Sequence, residues 1–268
     1  MANIALESAA SGLNALNTKL DVIANNLANV NTIGFKQSRV NFEDLIYLER
    51  AQPGVENANG DQRPHGLYVG LGVKPSGTQR IHTPGSPIST DNELDLLIDG
   101  RGFFQVEVDD DQGDGIAYTR AGNFALNANG EIVLANSSGR RLSPGINVDD
   151  DVISIEVDQN GRVFVLRPGA TQLEEVGQIE IATFVNPAGL RSIGENLFTE
   201  TSASGQPLQG EPGIDNRGRI RQGLIESSNV DPTRELIGLI RTQRAFEMNS
   251  QSIRAADEVL QQIAQIRR

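Results

Sequence analysis

Cysteine and tryptophan are both absent from this chain of 268 residues, and histidine occurs only as His65 and His82. Without cysteine, disulfide frameworks and thiolate metal sites are excluded. A zinc site would have to rest on carboxylates, so we expect no metal and no cofactor. Aromatic residues make up only 4% and hydrophobic residues 38% of the chain, which also holds 28 glycines. This composition favours an elongated molecule that needs neighbours to bury its surface.

Long apolar runs are missing as well. No stretch approaches the ~20 residues that a membrane-spanning helix needs. Residues 1–20 lack a basic start, and Glu7, Ser8, Ser11 and Asn14 interrupt their apolar positions. No secretory signal peptide is therefore predicted.

Negative charge is concentrated in the middle of the chain. Residues 1–36 hold two basic and two acidic side chains, and residues 231–268 hold six arginines against five acids. The part between them therefore carries −13, while the whole chain carries −12. Such a charge repels nucleic acid and anionic membrane surfaces, so neither is expected as a partner.

No catalytic motif has the spacing that its chemistry needs. Gly100-Arg101-Gly102 follows an apolar segment as a dinucleotide loop would, but Gln105 occupies the third glycine position. The acidic residues 110–115 resemble a calcium loop, yet Ala121 stands where a bidentate glutamate is required. We therefore predict no catalytic, cofactor-binding or metal-binding residues, and no enzyme.

The first 30 residues show a heptad repeat. Leucines recur every seven residues, at Leu6, Leu13, Leu20 and Leu27, and a companion row follows at Ala9, Leu16, Ile23 and Val30. This spacing is the a/d pattern of a coiled-coil seam rather than the broader stripe of a core-facing helix. It predicts a helix over residues 4–29, about 40 Å long.

The last segment shows the same repeat. Asp231 can cap a helix that begins at Pro232. Large apolar residues then recur at Leu239, Phe246, Ile253 and Leu260, with Thr242, Asn249, Ala256 and Ile263 as the companion row. The predicted helix, roughly 55 Å long, has a partly polar seam that weakens pairing but fixes its register. From periodicity alone, two ordinary amphipathic helices flanking a domain are the alternative.

The residues between these helices have the pattern of β structure. Short apolar runs separated by turn residues predict strands at residues 94–98, 103–108, 124–126, 132–134, 152–157, 163–166 and 179–185. Asn-Gly turns at residues 127–130 and 158–161 favour hairpins, and alternation over residues 152–157 favours an antiparallel sheet. After residues 42–49 and before Asp231, the sequence predicts little helix.

A looser stretch, residues 51–87, contains seven glycines and five prolines. A loop of this length without structure of its own is usually functional or disordered. Its composition leaves two alternatives equally open, an extended arm that contacts neighbours and a floppy insertion.

Three strings mark the start, middle and end of the chain. They are ANNLANVNTIGFK at residues 24–36, GFFQV with YTRAGNF at residues 102–106 and 118–124, and GLIESSNVD at residues 223–231, followed by QRAFE at 243–247. In this order they resemble the signatures of the flagellar rod and hook protein family, over nearly the whole chain. One departure is Phe246, where the family often has tyrosine. In the first string, asparagines can end a helix, Gly34 permits a positive φ and Phe35 is a plausible anchor.

The resemblance implies a fold, which we express as a prediction. It is an α+β fold whose terminal helices, residues 1–30 and 231–268, pair as an axial coiled coil. Residues 31–90 form a connecting loop and extended Gly/Pro-rich arm, and residues 91–230 form a mainly antiparallel β domain. The expected self-assembly residues are Leu6, Leu13, Leu16, Leu20, Ile23, Leu27, Asn25, Asn26, Gly34, Phe35, Leu239, Phe246, Ile253, Leu260 and Ile263.

The resemblance also implies a role. Strings at residues 42–47, 52–54, 70–73 and 192–198 are similar to the distal-rod branch of the family, and a proximal rod or hook subunit is the alternative. The implied partners are other copies of the chain, proximal rod proteins, the hook protein and the surrounding basal-body rings. The implied location is the rod crossing the periplasm, reached by type III export without a cleaved signal peptide. A secreted binding module and a hydrolase that depends on His82 or an aspartate are the competing classes.

Overall fold

A computed structural model describes residues 2–55, 62–109, 115–149, 151–169 and 172–266 of the chain. The chain divides into two compact units. The terminal unit consists of Met1–Ala28, Ser38–Gln79 and Asp231–Arg268, and the central unit of Asn29–Gln37 and Arg80–Val230. The segment 31–90, expected to form one arm, is thus divided between the two units. The acidic residues 110–114 of the calcium-like string lie outside the described residues.

Two helices form the ends of the chain, as predicted. Helix α1 spans Ala2–Ala28 and helix α2 spans Pro232–Ile266. The Oδ1 atom of Asp231 accepts hydrogen bonds from the backbone N–H groups of Thr233 at 3.0 Å and Arg234 at 3.2 Å. These bonds satisfy two donors that a helix start leaves without partners, so the predicted cap of α2 is confirmed.

The terminal unit also contains four strands, where the sequence predicts none. Strand β1 (Ser38–Asp44) pairs with β4 (Val73–Arg80), and β2 (Tyr47–Ala51) pairs antiparallel with β3 (Leu67–Gly70). Residues 42–49 thus lie mostly in strands β1 and β2, and residues 51–87 contain regular structure. Four of the five residues of β2 are exposed, so no buried face imposes the alternation by which strands are recognised. Glycine and proline in β3 and β4 further lower their apparent strand propensity.

The central unit is built from sixteen strands and a short 3-10 helix within the described residues. Each of the seven predicted strand regions overlaps an observed strand. The strands are β5 (Pro87–Ser89), β6 (Leu96–Asp99), β7 (Phe103–Glu107), β8 (Ile116–Thr119), β9 (Phe124–Leu126), β10 (Ile132–Leu134), β11 (Leu142–Ser143), β12 (Ser154–Val157), β13 (Arg162–Leu166), β14 (Glu174–Gln178), β15 (Ile181–Thr183), β16 (Arg191–Gly194), β17 (Leu197–Thr199), β18 (Leu208–Gly210), β19 (Arg219–Gln222) and β20 (Leu224–Glu226), and the 3-10 helix is Pro187–Gly189.

The sheets of the central unit are antiparallel. The largest has seven strands in the order β16-β17-β8-β7-β15-β18, with β11 also paired to β7. Strands β12, β13 and β14 form a second sheet, and β9 pairs with β10, β6 with β19 and β5 with β20. The predicted antiparallel β region is therefore confirmed.

Both Asn-Gly turns form hairpins as predicted. Gly130 has a φ of 80° and Gly161 a φ of 82°, in the left-handed region that asparagine-glycine turns supply. Their N–H groups donate to the carbonyl oxygens of Asn127 at 3.0 Å and Asp158 at 2.9 Å. The turns join β9 to β10 and β12 to β13.

Two clusters of buried apolar side chains form the core of the central unit. The larger cluster draws on strands from β6 to β19, and Phe104, Phe124 and Ile181 in it are completely buried. The smaller is mainly aromatic and comprises Phe103, Tyr118, Ala182, Phe184, Leu190 and Phe198. The few aromatic residues of the chain are thus concentrated in this unit's interior.

Candidate assembly site

The two terminal helices pack against each other within the terminal unit. A Cβ atom built on Gly12 of α1 would lie 2.9 Å from Nδ2 of Asn249 in α2. One built on Gly238 of α2 would lie 3.6 Å from Cδ1 of Ile23 in α1. Contacts thus move towards the start of α2 as they move towards the end of α1, so the two helices run antiparallel.

The predicted seam is only partly covered by this packing. Ile23 is buried, with 6% of its surface exposed. The other described apolar members are half-buried, namely Leu6, Leu13, Leu16, Leu20 and Leu27 in α1 and Leu239, Phe246, Ile253 and Leu260 in α2. The side chain of Ile263 lies outside the described residues. One pair of helices therefore leaves much of the apolar seam accessible.

Helix α2 also exposes apolar side chains outside the predicted seam. Met248 is 61% exposed and Val259 is 51% exposed. Leu236, Ile237 and Ile240 on the first turns are between 46% and 49% exposed. Scattered apolar side chains are normal on a surface, but several along one helix provide a surface for another apolar element.

The polar positions of the α2 seam have defined partners. Thr242 is 2% exposed, and its Oγ1 donates to the carbonyl oxygen of Gly238 at 2.7 Å. Asn249 lies opposite Gly12, where the missing side chain makes room for the amide. Polar side chains with defined partners at a helix interface favour one alignment of the two helices. Thr242 and Asn249 therefore agree with a role in fixing the register of the helix pair.

The asparagines near the end of α1 have different environments. Asn26 is buried, donating from Nδ2 to the carbonyl oxygen of Ser38 at 2.9 Å and accepting from the Ser38 N–H at 3.0 Å through Oδ1. Its amide therefore holds the start of β1 beside the last turns of α1. Asn25, by contrast, is exposed.

Gly34 and Phe35 occupy buried positions in the central unit. Gly34 has the predicted positive φ, 68°, and a Cβ there would come within 2.6 Å of the backbone nitrogen of Ala121. Phe35 is 5% exposed. Both residues therefore stabilise the interior of the central unit and do not themselves form an exposed assembly surface.

A buried charged cluster joins the three strings on which the family resemblance rests. The Nζ atom of Lys36 lies 2.6 Å from Oε1 of Glu226 and donates to the carbonyl oxygen of Thr83 at 2.8 Å. On the other side of the carboxylate, Nε of Arg120 lies 3.5 Å from Oε2. Lys36, Arg120 and Glu226 are each at most 3% exposed. Burial lowers the pKa of the Lys36 ammonium, and the charge and hydrogen bond of Glu226 oppose this shift.

Further hydrogen bonds, each with a backbone group as one partner, connect the same strings and the residues beside them. The N–H of Gly34 donates to the carbonyl oxygen of Glu226 at 2.8 Å, and the N–H of Gln37 donates to Oδ1 of Asn229 at 2.7 Å. The Asn229 amide also donates to the carbonyl oxygen of Ile81 at 2.8 Å. Residues nearly 200 positions apart in sequence thus form one junction in the central unit.

Sequence reasoning missed the charged members of this junction. Lys36, Arg120 and Glu226 all lie within the three strings, yet none was singled out as a site residue. The available signal in each string was a charged residue flanked by small, apolar or polar uncharged residues. Their pairing, however, depends on long-range contacts that spacing along the chain does not reveal.

Clusters of metal-binding side chains and helices able to span a membrane are both absent from the described residues. Among them, no group of three or more histidines, aspartates or glutamates is placed to hold a metal ion. Neither α1 nor α2 is long and apolar enough, over the part the structure describes, to span a membrane.

Comparison with known families matches three parts of the chain. Residues 6–36 match the flagella basal body rod protein family, residues 97–165 the D1 domain of flagellar hook protein FlgE/F/G, and residues 221–266 the C-terminal region of flagellar basal body rod FlgEFG proteins. The matched segments contain most of α1 and its following turn, most of β6, strands β7 to β12, most of β13, and all of α2. They include all three members of the buried charged cluster.

Similar proteins match almost the entire chain. The flagellar basal-body rod protein FlgG of Buchnera aphidicola subsp. Schizaphis graminum is 43% identical over 96% of this chain and 96% of the relative. The chain belongs to the flagellar basal-body rod protein family. The FlgG proteins of Agrobacterium fabrum, 43% identical over 95% of this chain and 96% of the relative, and Caulobacter vibrioides, 42% identical over 98% and 99%, agree. Rod and hook proteins are structural, so the prediction of a structural protein rather than an enzyme is confirmed by the family.

Proposed function

We propose that this rod-family protein is a structural subunit of the distal flagellar rod and polymerises into a rigid helical tube through α1 and α2. The observation that carries the proposal is the half-buried heptad seam of this antiparallel helix pair. In the tube, the pair forms an axial coiled coil, and its remaining apolar surface is covered by the helices of neighbouring subunits. The tube transmits motor torque to the hook.

The energetics favour assembly over the free subunit. Full burial of one leucine side chain is worth ~1.5–3 kcal/mol relative to exposure. Because the seam leucines are already half-buried within one chain, only part of that energy is available from neighbours, and part offsets the entropy of ordering. Because each subunit contributes several leucines, their partial burial energies add to a favourable free energy of assembly. Heterologous contacts that do not close on themselves then produce an open helical filament.

The β2–β3 hairpin and its flanks supply the lateral contacts in this proposal. Exposed apolar side chains cluster there, with Ile46 78% exposed, Tyr47 53%, Leu67 55% and Tyr68 51%. A two-stranded hairpin is marginally stable on its own in water, so contact with neighbouring subunits would stabilise it. Such contacts resist bending, which suits a drive shaft rather than a flexible joint.

Partners and location follow from the same role. The proposed partners beyond other copies are the proximal rod proteins, the hook protein and the rings around the basal body. The proposed location is the rod where it crosses the periplasm, after export through the flagellar type III apparatus without a cleaved signal peptide.

Substitution of one seam leucine tests the mechanism. We expect Leu13→Asp to abolish filament formation by concentrated protein in negative-stain images, because a carboxylate would be desolvated at the helix interface. Asn14→Asp is the matched control, since it adds the same charge at the adjacent exposed position. Limited proteolysis of both variants should leave the central unit as a resistant fragment, showing that the β structure is intact.

The two variants give a clear decision. Filaments from the Asn14→Asp protein but not from the Leu13→Asp protein would support assembly through the seam. Normal filaments from Leu13→Asp would refute the assignment of the seam to subunit contacts.

A further inference from the structure

A cavity of about 620 Å³ opens on the surface of the central unit. Its wall includes the aromatic rings of Phe103 and Phe184, the prolines Pro84 and Pro187, and His82. Its size lies in the range of pockets that hold a small molecule or a few residues of a peptide, ~300–1,000 Å³. It lies apart from the helix seam, and the rod role described above makes no use of it.

The charged residues that line this cavity are both basic. Arg101 is exposed at the cavity, and Arg120 is 3% exposed beneath it. The Arg120 guanidinium donates to the carbonyl oxygens of Ile98 and Gly100, at 3.2 Å and 2.6 Å, so its position is fixed. No acidic side chain is among the described residues of the lining.

The positive charge extends behind the wall. Lys36 and Arg120 share the single carboxylate of Glu226, so this buried cluster retains a net positive charge. The Arg80 guanidinium lies 5.2 Å from the centre of the Phe198 ring and adds a further cation nearby. A basic cavity is unusual on a chain whose central part carries −13.

Apolar and aromatic surface extends from the cavity wall to its mouth. The His82 ring packs edge-on against Phe103 and Phe198, with ring centroids 5.4 Å and 5.5 Å apart. At the mouth, Val185 is 84% exposed although the neighbouring Phe184 is 8% exposed. An apolar side chain held this far into solvent beside a cavity adds to the surface that a partner could cover.

We propose that this cavity is the receptor of a second subunit contact and that it receives an acidic, partly apolar segment of another copy of this chain. Charge complementarity favours this occupant, because the acidic central part of a second copy supplies carboxylates opposite Arg101. Aliphatic side chains flanking the carboxylate pack against Val185 and the aromatic wall. The inference rests on the proposed polymerisation and adds a contact between central units to the contact made by the helices.

Photo-crosslinking combined with a charge reversal tests the contact. Benzoylphenylalanine placed at position 185 is irradiated in polymerised protein, and adducts are mapped by mass spectrometry. In parallel, Arg101→Glu is compared with Arg162→Glu, which makes the same charge change at an exposed position of β13 outside the cavity. We expect an adduct of twice the subunit mass that maps to an acidic segment. We also expect Arg101→Glu to raise the protein concentration needed for polymerisation by about tenfold or more, since like charges across an interface repel.

The outcomes separate this inference from the proposed function. If filaments form but position 185 gives no homotypic adduct, or an adduct with a non-acidic segment or another protein, the receptor assignment is overturned while polymerisation stands. Equal polymerisation of the Arg101→Glu and Arg162→Glu proteins overturns it as well. If the unmodified chain forms no filaments under any condition, the proposed function itself fails, and this contact fails with it.

Discussion

His82 packs against two aromatic rings in the central unit. Its ring centroid lies 5.4 Å from that of Phe103 and 5.5 Å from that of Phe198, both in edge-on geometry. Burial, together with the charges of Lys36, Arg120 and Arg80, lowers the pKa of His82 to about 4. The imidazole is therefore neutral at physiological pH, and a pKa this far below the operating pH makes it a weak general base, which favours a role in packing.

This lowered pKa predicts an acid-sensitive stability. The unfolded chain binds a proton near pH 6.5 while the folded chain does so only near pH 4, so folding loses free energy as pH falls between those values. The shift corresponds to about 3 kcal/mol in total. We expect His82→Phe to reduce by that amount the fall in unfolding free energy between pH 6.5 and pH 4, measured by urea denaturation.

His65 provides the control for this measurement, because it is the chain's other histidine and is exposed. His65→Phe should keep the full pH dependence of the unmodified protein. The same pH dependence in the His82→Phe protein would contradict the buried, neutral state of His82.

At the scale of elements, the helices were predicted well and the outer strands were not. The heptad leucines and the Asp231 cap are local signals, so the bounds of α1 and α2 follow from the sequence within a few residues. The central strands are marked by Asn-Gly turns and apolar runs in the same local way. Strands β1 to β4 carry no such marks, because most of their side chains are exposed.

The junction around Lys36 and Glu226 could not be predicted for a different reason. Each partner can be seen in the sequence, but the contact joins positions 190 residues apart. What the sequence does indicate is the turn that makes the contact possible. Gly34 was expected to adopt a positive φ and does so, which places its N–H against the carbonyl oxygen of Glu226.

The turn after α1 gives an element-scale prediction. Gly34→Ala adds a Cβ both at a positive φ and within 2.6 Å of the Ala121 backbone, which cannot move away easily. The backbone conformation costs about 1 kcal/mol and the clash about 1–3 kcal/mol more. We therefore expect a loss of about 3 kcal/mol in the free energy of unfolding, measured by denaturant titration.

Gly139→Ala separates the two contributions. Gly139 also has a positive φ, 55°, but a Cβ there would meet no atom within 4 Å. We expect this variant to lose only about 1 kcal/mol. Equal losses in the two alanine variants would show that the close approach of Gly34 to the Ala121 backbone contributes nothing.

At the scale of the whole molecule, charge and apolar side chains lie in different parts of the chain, in a pattern that favours association of subunits. The central part carries the negative charge of the chain, while the two terminal helices are close to neutral and keep apolar side chains accessible. Neutral ends avoid electrostatic repulsion where subunits are proposed to pack most closely, and the acidic middle keeps the free chain soluble. A polymer built this way needs contacts of two kinds, one that closes the seam and one that resists bending.

The β2–β3 region allows these two kinds of contact to be tested apart. We expect the double variant Ile46→Ser and Leu67→Ser to form filaments, because α1 and α2 are unchanged. Those filaments should bend more, since each side chain that loses its burial against a neighbour removes up to ~1.5–3 kcal/mol of lateral contact. The measurement is the bending persistence length in negative-stain images. The control is Ile153→Ser with Leu173→Ser, which removes two exposed apolar side chains, 65% and 45% exposed, from the central unit. Equal stiffness in both double variants would show that the β2–β3 region contributes nothing to the rigidity of the tube.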